Sequence, residues 1–491
     1  MTLSVSVPCW GQVIAKEIRY PELKGDHLLL ETTEGCDGTF MYYKFGNKQF
    51  FLYSLHEFEN YQHPYYYPVP TQMNEPHGEI LYTVKDMRIV GKRCVCCGQV
   101  RKPIGEEQII TPSGRNMIYE DYGFVGWIEL DNTSGYNNHI KYSISKVDGT
   151  SDLRQLDVRI DAGDTLVALV GTTDMYNSAN CLVSMFKNGS NEEYKVFALS
   201  NSLEQLTDVV FTEDKVITVS KILEDHHSFI LRGGLISDLF DMNSPDLTDY
   251  SWTHKYITPN HSLNCEYRDT WHSDAAEIKL VAEPQKSYVT VAHDAYYRDN
   301  TNGVIKSMAL YRVEIPTTTA YTLLEAQFLS APAEVGETLM DMRYNPADTT
   351  VLLLNRYLTV NGTTGSFSKV DLLSGTFRTM FSDYYYFLSM DMPKNGGNSV
   401  WIGVVDKNDA TLSDFWQKFD YFVPGEQNAV WGYCSPNGFK DACHMDPSPQ
   451  LVESVSGAEG YEGNRLKWQS TVIPATSSVK ERPCTAEYET K

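Results

Sequence analysis

From residue 84 the chain reads Val84-Lys85-Asp86-Met87-Arg88-Ile89, then Cys94-Val95-Cys96-Cys97-Gly98, and later Phe124-Val125-Gly126-Trp127-Ile128. The first segment places an acidic residue among apolar ones, and the other two are short apolar runs typical of strands. This order of an acidic start and two strand-like runs occurs six times. In the sixth copy the last run is Phe415-Trp416-Gln417-Lys418-Phe419. The acidic starts are Asp86, Asp157, Asp208, Glu277, Asp341 and Asp391.

The repeat predicts an all-β fold, because no helical pattern separates one copy from the next. A degenerate repeat of strand triplets is typical of the blades of a β-propeller. The hairpin at 38–55, with its turn at Gly46-Asn47, resembles the third and fourth strands of a further blade. The tail is expected to supply that blade's first two strands, so that the N- and C-terminal segments share the closing blade and no sheet edge stays open. The candidate tail strands are 429–433, 451–455 and 466–473.

This organisation predicts one domain and not several. Six internal repeats and one shared blade give seven blades, and a six-bladed ring with an appended tail is the alternative. The single propeller domain is expected over residues 1–480, with the repeats at about 80–425, and residues 481–491 form a polar tail.

Charge excludes one class of partner. The 491 residues include 64 acidic and 41 basic side chains, which gives a formal net charge of −23. A protein that binds nucleic acid needs a basic surface, so nucleic acid is not an expected partner. No run of about 18 apolar residues occurs, and the sequence therefore predicts no membrane-spanning segment.

The first residues, Met1-Thr2-Leu3-Ser4-Val5, lack the basic and apolar regions of a signal peptide. Two interpretations remain open. The protein is cytoplasmic, or it acts outside the cytoplasm, as an extracellular, periplasmic or cell-surface protein, and its leader is absent from this chain.

Cysteine chemistry is not expected to define the site. Cys94 and Cys97 form a C-x-x-C pair, but residues three apart on a strand point to opposite faces and cannot share one metal. They are expected to be buried as small apolar residues. A disulfide between Cys434 and Cys443 is left open. The chain has no P-loop, G-x-S-x-G or H-E-x-x-H motif, so the sequence predicts no cofactor and no metal site.

The repeated acidic residue is predicted to have a structural role. One active site needs one base, whereas six equivalent acids indicate a duty that every repeat shares. Each carboxylate is expected to accept hydrogen bonds from backbone N–H groups of a neighbouring turn or strand, because buried donors need partners.

Binding residues are instead expected in aromatic loops, where Tyr, Trp and His rings can stack on sugars or fill protein contacts. One such loop is 56–80 and another is the insertion 238–275, which also carries Asp274. The candidate binding residues are Tyr65, Tyr66, Tyr67, Trp252, His254, Trp271, His272, Tyr384 and Tyr385.

The repeats resemble a group of uncharacterised β-propeller proteins exported by gut Bacteroidales. In that group a strand like V-x-D-M precedes a strand like Y-F-C-G and then one like G-F-[IV]-x-x-F. The matching segments here are Val84-Lys85-Asp86-Met87, Cys94-Val95-Cys96-Cys97-Gly98 and Gly123-Phe124-Val125-Gly126-Trp127. The resemblance covers about residues 80–425 and implies a six- or seven-bladed propeller outside the cytoplasm.

Three functions are compatible with these observations. The first is a non-catalytic binding or scaffold module at the cell envelope, which contacts glycan or protein through the aromatic loops. The second is a carbohydrate-active hydrolase or lyase with its site at the propeller mouth and with His254, His272 and Asp274 as candidate groups. The third is a structural component of a phage or secretion particle.

Overall fold

The structure is a computed structural model. It describes residues 16–17, 27–32, 38–45, 48–55, 65–68, 80–91, 93–111, 114–129, 141–173, 180–189, 191–198, 204–222, 228–242, 252–257, 278–283, 288–299, 303–315, 323–329, 336–346, 349–359, 362–372, 377–383, 385–391, 399–405 and 428–434. Nearly all of these residues lie in strands. The helix found among them is a single turn, α1 (Ile236–Leu239). The prediction of an all-β chain is confirmed for this part of the sequence.

The strands of the described ranges form seven four-stranded antiparallel sheets, and in six of them the strands follow one another in chain order. The first strand, β1 (Lys16–Glu17), does not join the sheet formed by the strands that follow it in the sequence. Sheet I contains β2 (His27–Thr32), β3 (Gly38–Phe45), β4 (Lys48–Leu55) and β5 (Tyr65–Pro68). Sheet II contains β6 (Leu81–Val90), β7 (Arg93–Thr111), β8 (Gly114–Glu129) and β9 (Lys141–Val147). Sheet III contains β10 (Thr150–Asp161), β11 (Asp164–Thr173), β12 (Asn180–Asn188) and β13 (Asn191–Ala198).

The same order continues in the second half of the chain. Sheet IV contains β14 (Glu204–Phe211), β15 (Lys215–Ile222), β16 (Ser228–Leu235) and β17 (Trp252–Ile257). Sheet V contains β18 (Lys279–Ala282), β19 (Tyr288–Asp299), β20 (Gly303–Glu314) and β21 (Leu323–Leu329). Sheet VI contains β22 (Gly336–Asn345), β23 (Thr350–Thr359), β24 (Gly362–Asp371) and β25 (Phe377–Asp383).

Sheet VII combines strands from both ends of the chain. Its strands are β26 (Tyr385–Asp391), β27 (Ser399–Val405), β28 (Asn428–Cys434) and β1, in that order. Lys16 pairs with Trp431, and Glu17 pairs with Val430. The third strand of this sheet is therefore β28 and not the predicted run 415–419, which lies outside the described residues.

The predicted hairpin at 38–55 forms, since β3 and β4 pair from Gly38 and Leu55 to Phe45 and Lys48. Its position in the sheet differs from the prediction. β3 and β4 are the two middle strands of sheet I, because β2 and β5 from the same N-terminal segment pair on either side of them. The tail segments 451–455 and 466–473 lie outside the described residues.

Successive sheets pack face to face through apolar side chains. One cluster joins Val95 and Cys97 of sheet II to Leu156 and Val167 of sheet III. Further clusters join sheets III and IV, sheets IV and V, and sheets V and VI. Both faces of a middle sheet are thus buried. This explains why its second strand reads as a continuous apolar run, as in Leu166–Val170, rather than as an alternating one.

The first strands of the seven sheets also contact one another. Along the chain, β2 contacts β6, and the contacts continue in order through β10, β14, β18 and β22 to β26. β26 in turn contacts β2. The order of these contacts is therefore cyclic.

Candidate functional site

A cavity lies where the first strands of sheets II to VII converge. Its empty space is about 500 Å³, part of it open to solvent. Sheets II to VII each contribute a polar side chain to its wall. These six residues are Asp86, Gln155, Asp208, Lys279, Asp341 and Ser389, and are called the axial ring.

β-bulges place most of the axial ring. In β6 the pairing register shifts between Val84 and Asp86, so that Lys85 is the extra residue and Asp86 follows it. The same shift precedes Gln155, Asp208, Asp341 and Ser389 in their strands. An inserted residue bends a strand and re-aims the next side chain. The bulges therefore account for the shared position of these side chains at the cavity.

Glycine opposite the bulge allows the strands to approach. Gly98 pairs with Val84, immediately before the bulge of β6. A Cβ at Gly98 would lie 1.9 Å from the carbonyl oxygen of Thr83. The corresponding Gly171 pairs with Leu153, and a Cβ there would lie 2.0 Å from the carbonyl oxygen of Asp152. The glycine that ends these apolar runs is thus required by a close backbone contact.

Three ring carboxylates each accept a hydrogen bond from the sheet that follows their own in the chain. The backbone N–H of Leu156 in sheet III donates to Asp86 Oδ2 at 2.9 Å. In the same way Leu280 N–H donates to Asp208 Oδ2 at 2.8 Å, and Met390 N–H donates to Asp341 Oδ2 at 2.9 Å. In each case the donor follows a ring residue of the next sheet, which assigns Lys279 to the corresponding position in sheet V.

The remaining repeated acids show a second arrangement. Asp157 accepts the N–H of Phe211 in sheet IV at 2.7 Å, although it lies three residues after its bulge and not beside it. Asp391 accepts Arg343 Nε at 3.1 Å. Bonding of the repeated carboxylates to neighbouring backbone is therefore confirmed for Asp86, Asp157, Asp208 and Asp341. Glu277 lies outside the described residues.

Sheets II and VI carry the same short motif, Asp-Met-Arg. Arg88 Nη1 donates to Asp86 Oδ1 at 2.7 Å and to the Met87 carbonyl at 2.8 Å. Arg343 Nη1 donates to Asp341 Oδ1 at 2.6 Å and to the Met342 carbonyl at 3.0 Å. Each guanidinium thus holds a ring carboxylate from the side opposite the inter-sheet bond.

Burial perturbs two of the ring acids. It raises the pKa of Asp86, and the positive charge of Arg88 is the largest influence that opposes it. Burial also raises the pKa of Asp208 to about 7, against the opposing charge of Lys279 and the N–H of Leu280. Asp208 therefore changes its charge near neutral pH, whereas an exposed aspartate is fully ionised there.

The cysteines of the predicted C-x-x-C pair are buried, as expected. Cys94 packs in a cluster with Met87 on one face of sheet II, and Cys97 packs in the cluster on the other face. Burial raises the pKa of the Cys96 thiol to about 12, and it also raises the pKa of Cys97. These thiols are poor nucleophiles, since the thiolate is the reactive form. Cys434 ends β28, whereas Cys443 lies outside the described residues.

The predicted aromatic site residues lie on different sheets. Tyr65, Tyr66 and Tyr67 belong to β5 and not to the irregular loop that the sequence predicts. Trp252 and His254 belong to β17, where they pair with Gly233 and Leu231. The strand preference of aromatic residues explains this difference.

The third group starts β26, where Tyr385 pairs with Val405. No strand pairing among the described residues connects β5, β17 and β26. Trp271, His272, Asp274 and Tyr384 lie outside the described residues.

Sequence reasoning missed half of the axial ring. Gln155, Lys279 and Ser389 differ in chemical type, so they carry no common signal in the sequence. The one usable signal is the glycine at the end of the second strand, since Gly98, Gly171 and Gly403 each pair with the residue before a bulge. The ring residue lies two positions after that residue.

Two features are absent from the described residues. These residues contain no group of three or more His, Cys, Asp or Glu side chains arranged to hold a metal ion. They also contain no helix with the length and apolar character needed to cross a membrane.

No family model matches the chain, and no curated protein matches it. Solved structures with a similar arrangement include the β-propeller domain of Cps50 (Swd1) from Myceliophteria thermophila. That domain is 8% identical, with 86% of this chain and 99% of that chain covered and a TM-score of 0.42. The WD40 domain of SCAP from fission yeast is also 8% identical, with 86% and 98% covered and a TM-score of 0.35.

An enzyme is among the similar structures as well. A post-proline cleaving enzyme from Rickettsia typhi is 11% identical, with 76% of this chain and 48% of that chain covered and a TM-score of 0.36. These comparisons therefore do not distinguish a binding module from an enzyme.

Proposed function

We propose that the chain is a seven-bladed β-propeller that acts as a non-catalytic binding or scaffold module. The cyclic contacts among the seven first strands support the ring, and the pairing of β1 with β28 supports a closing blade shared between the two ends of the chain. In this arrangement the sheets I to VII are the blades, and the axial ring surrounds the axis.

The hydrogen bonds that the ring carboxylates accept support a non-catalytic function. Both oxygens of Asp208 accept backbone N–H groups, from Val209 and Leu280. Both oxygens of Asp86 and Asp341 also accept hydrogen bonds, each with one from the next sheet. A general base needs a lone pair directed at its substrate. The ring acids instead stabilise the junctions between blades.

Ligand contact is assigned to the aromatic segments away from the axis. Tyr65–Pro68 and Trp252–Ile257 are the fourth strands of sheets I and IV. Each therefore forms the edge opposite the first strand of its sheet. Aromatic rings at such edges can stack on sugar rings or anchor a protein partner. Glycan or protein at the cell envelope, outside the cytoplasm, is the proposed ligand, in accordance with the resemblance to exported propellers.

Glycan arrays and incubation with host and dietary polysaccharides test this proposal together. We expect binding without release of reducing ends, and we expect Tyr66→Ala or Trp252→Ala to weaken the binding at least about tenfold. Asp341→Asn serves as the matched control, because it alters the axial ring and should leave the affinity unchanged. Release of reducing ends that His272→Ala abolishes would contradict the proposal and establish the enzyme alternative.

A further inference from the structure

A two-stranded ribbon extends beyond sheet II. β7 and β8 pair from Arg93 and Glu129 as far as Thr111 and Gly114, with register shifts between Pro103 and Gly105 and between Glu106 and Ile110. β6 pairs with β7 only up to Arg101, and β9 pairs with β8 only from Gly123 onward. Residues 102–111 and 114–122, here called the ribbon, therefore pair with each other and with no other strand that the structure describes. At about 3.3 Å per residue, the ribbon reaches about 30 Å.

The ribbon carries a concentration of exposed apolar side chains. Five large apolar side chains of the described residues are more than a third exposed, and three of these lie on the ribbon. They are Ile104, 50% exposed, Ile118, 42%, and Tyr119, 45%. An isolated two-stranded hairpin is only marginally stable in water, and its unpaired edges invite a further strand. These features indicate a contact surface.

The sequence of β7 within and beside the ribbon is complementary to itself. It reads Arg101-Lys102-Pro103-Ile104-Gly105-Glu106-Glu107, with two cations before Ile104 and two anions after it. If the strand lies antiparallel to an identical strand with Ile104 at the centre, Lys102 falls opposite Glu106. Arg101 already binds Asp121 of β8 at 2.8 and 2.9 Å, and Glu107 lies within the register shift that follows Glu106, so the Lys102–Glu106 pair carries the complementarity. Opposite charges at facing positions stabilise a strand pair, and like charges destabilise it.

We propose that two copies of this chain associate through the ribbon, with β7 of each copy antiparallel to β7 of the other. A two-fold axis passes near Ile104, so that the Lys102–Glu106 pair occurs twice in one contact. The exposed Ile104 side chains meet at the axis and lose their contact with water. This inference does not depend on the ligand proposed above.

The main chain contributes less to this contact than in an ordinary sheet. Pro103 lacks an N–H, and the register shift between Pro103 and Gly105 makes Ile104 a bulge residue. Both features limit the hydrogen bonds that the edge can offer. The charges around Ile104 therefore determine the register, and the association is expected to be weak and reversible.

Sedimentation velocity over a wide range of protein concentrations at physiological salt tests the proposal. The wild-type chain should approach twice its monomer mass as the concentration rises. Lys102→Glu alone and Glu106→Lys alone should each remain monomeric, because each puts like charges opposite one another. An equimolar mixture of the two variants should associate again, since every facing pair then has opposite signs.

The mixture also distinguishes a broken contact from a misfolded variant, because only folded chains can restore the association. Ile104→Lys should weaken the self-association at least about tenfold. Its matched control is Ile160→Lys, at a side chain that is also 50% exposed but lies on β10. A wild-type chain that stays monomeric at every concentration overturns the proposal. Failure of the mixture to associate overturns it too.

Discussion

At the level of single residues, the repeated aspartates show how far a sequence pattern predicts chemistry. Their structural role was predictable, because the same acid recurs in several repeats. Their exact placement was not. Asp86 and Asp208 directly follow a bulge, whereas Asp157 lies three residues after one, so equal motifs occupy two different positions. Local residue types do not encode the pairing register that separates these positions.

Asp341 provides a direct test of the bonds between sheets. Asp341→Ala leaves the buried Met390 N–H without its acceptor, and we expect it to lower the free energy of unfolding by about 2–4 kcal/mol. Urea denaturation measures this loss. Asp161→Ala is the control, because Asp161 is exposed on β10 and its removal should change stability by less than about 0.5 kcal/mol. Equal losses for the two variants would contradict the structural role.

Asp208 predicts a pH dependence of stability. Its folded-state pKa of about 7 lies above the ordinary value of 3.8, so the folded chain binds this proton more tightly than the unfolded chain. Stability from this group is therefore present at low pH and is lost as pH rises from about 4 to about 7, by at most about 4 kcal/mol. We expect Asp208→Asn to flatten that part of the profile measured by urea unfolding. If the slope of stability against pH is unchanged in the variant, the raised pKa of Asp208 is contradicted.

At the level of strands and sheets, the apolar runs predicted the second and third strands well, because a strand buried on both faces is apolar throughout. Leu166–Val170 and Val216–Val219 both lie in such strands. Edge strands were harder to predict. β5 and β17 were assigned to loops, since the stretches that contain them are rich in Pro, Asn and Asp and show no clear alternation. Pairing with a neighbouring strand decided their conformation.

The glycine opposite the bulge of β6 gives a prediction at this level. Gly98→Ala brings a Cβ into the Thr83 carbonyl, and we expect it to lower the free energy of unfolding by about 3 kcal/mol. The matched variant is Gly105→Ala on the ribbon, where a Cβ would have no atom within 4 Å. Thermal unfolding should show little change for Gly105→Ala. If Gly98→Ala is equally harmless, then the close contact at the bulge is not required.

For the whole molecule, the sequence predicted that a sheet is shared between the two ends of the chain, and the candidate tail strand 429–433 does lie in that sheet as β28. The hairpin at 38–55 was wrongly assigned to it and belongs to sheet I. The shared sheet takes one short strand from the N-terminal segment and three from the C-terminal part. A two-residue strand such as β1 has no detectable periodicity. Its position depends on the edge that β28 offers, which is a property of the assembled sheets and not of the local sequence.

An engineered disulfide tests this pairing. Glu17 and Val430 are partners across β1 and β28, so cysteines at both positions should oxidise to a disulfide. The bond would close a very long loop, and we expect it to raise the free energy of unfolding by about 2–4 kcal/mol. Peptide mapping by mass spectrometry identifies the bond, and the two single-cysteine variants are the controls. Absence of the cross-link under oxidising conditions would contradict the pairing of β1 with β28.

The pairing of β1 with β28 has a consequence for biosynthesis. β1 leaves the ribosome hundreds of residues before the strand that receives it is made. At 5–20 residues per second, translation of the intervening chain takes roughly 20 to 80 s. β1 must remain without its partner strand during that time, and sheet VII can be completed only after β28 has left the ribosome. Chaperones that hold the emerging chain should therefore affect the yield of native protein more than its final stability.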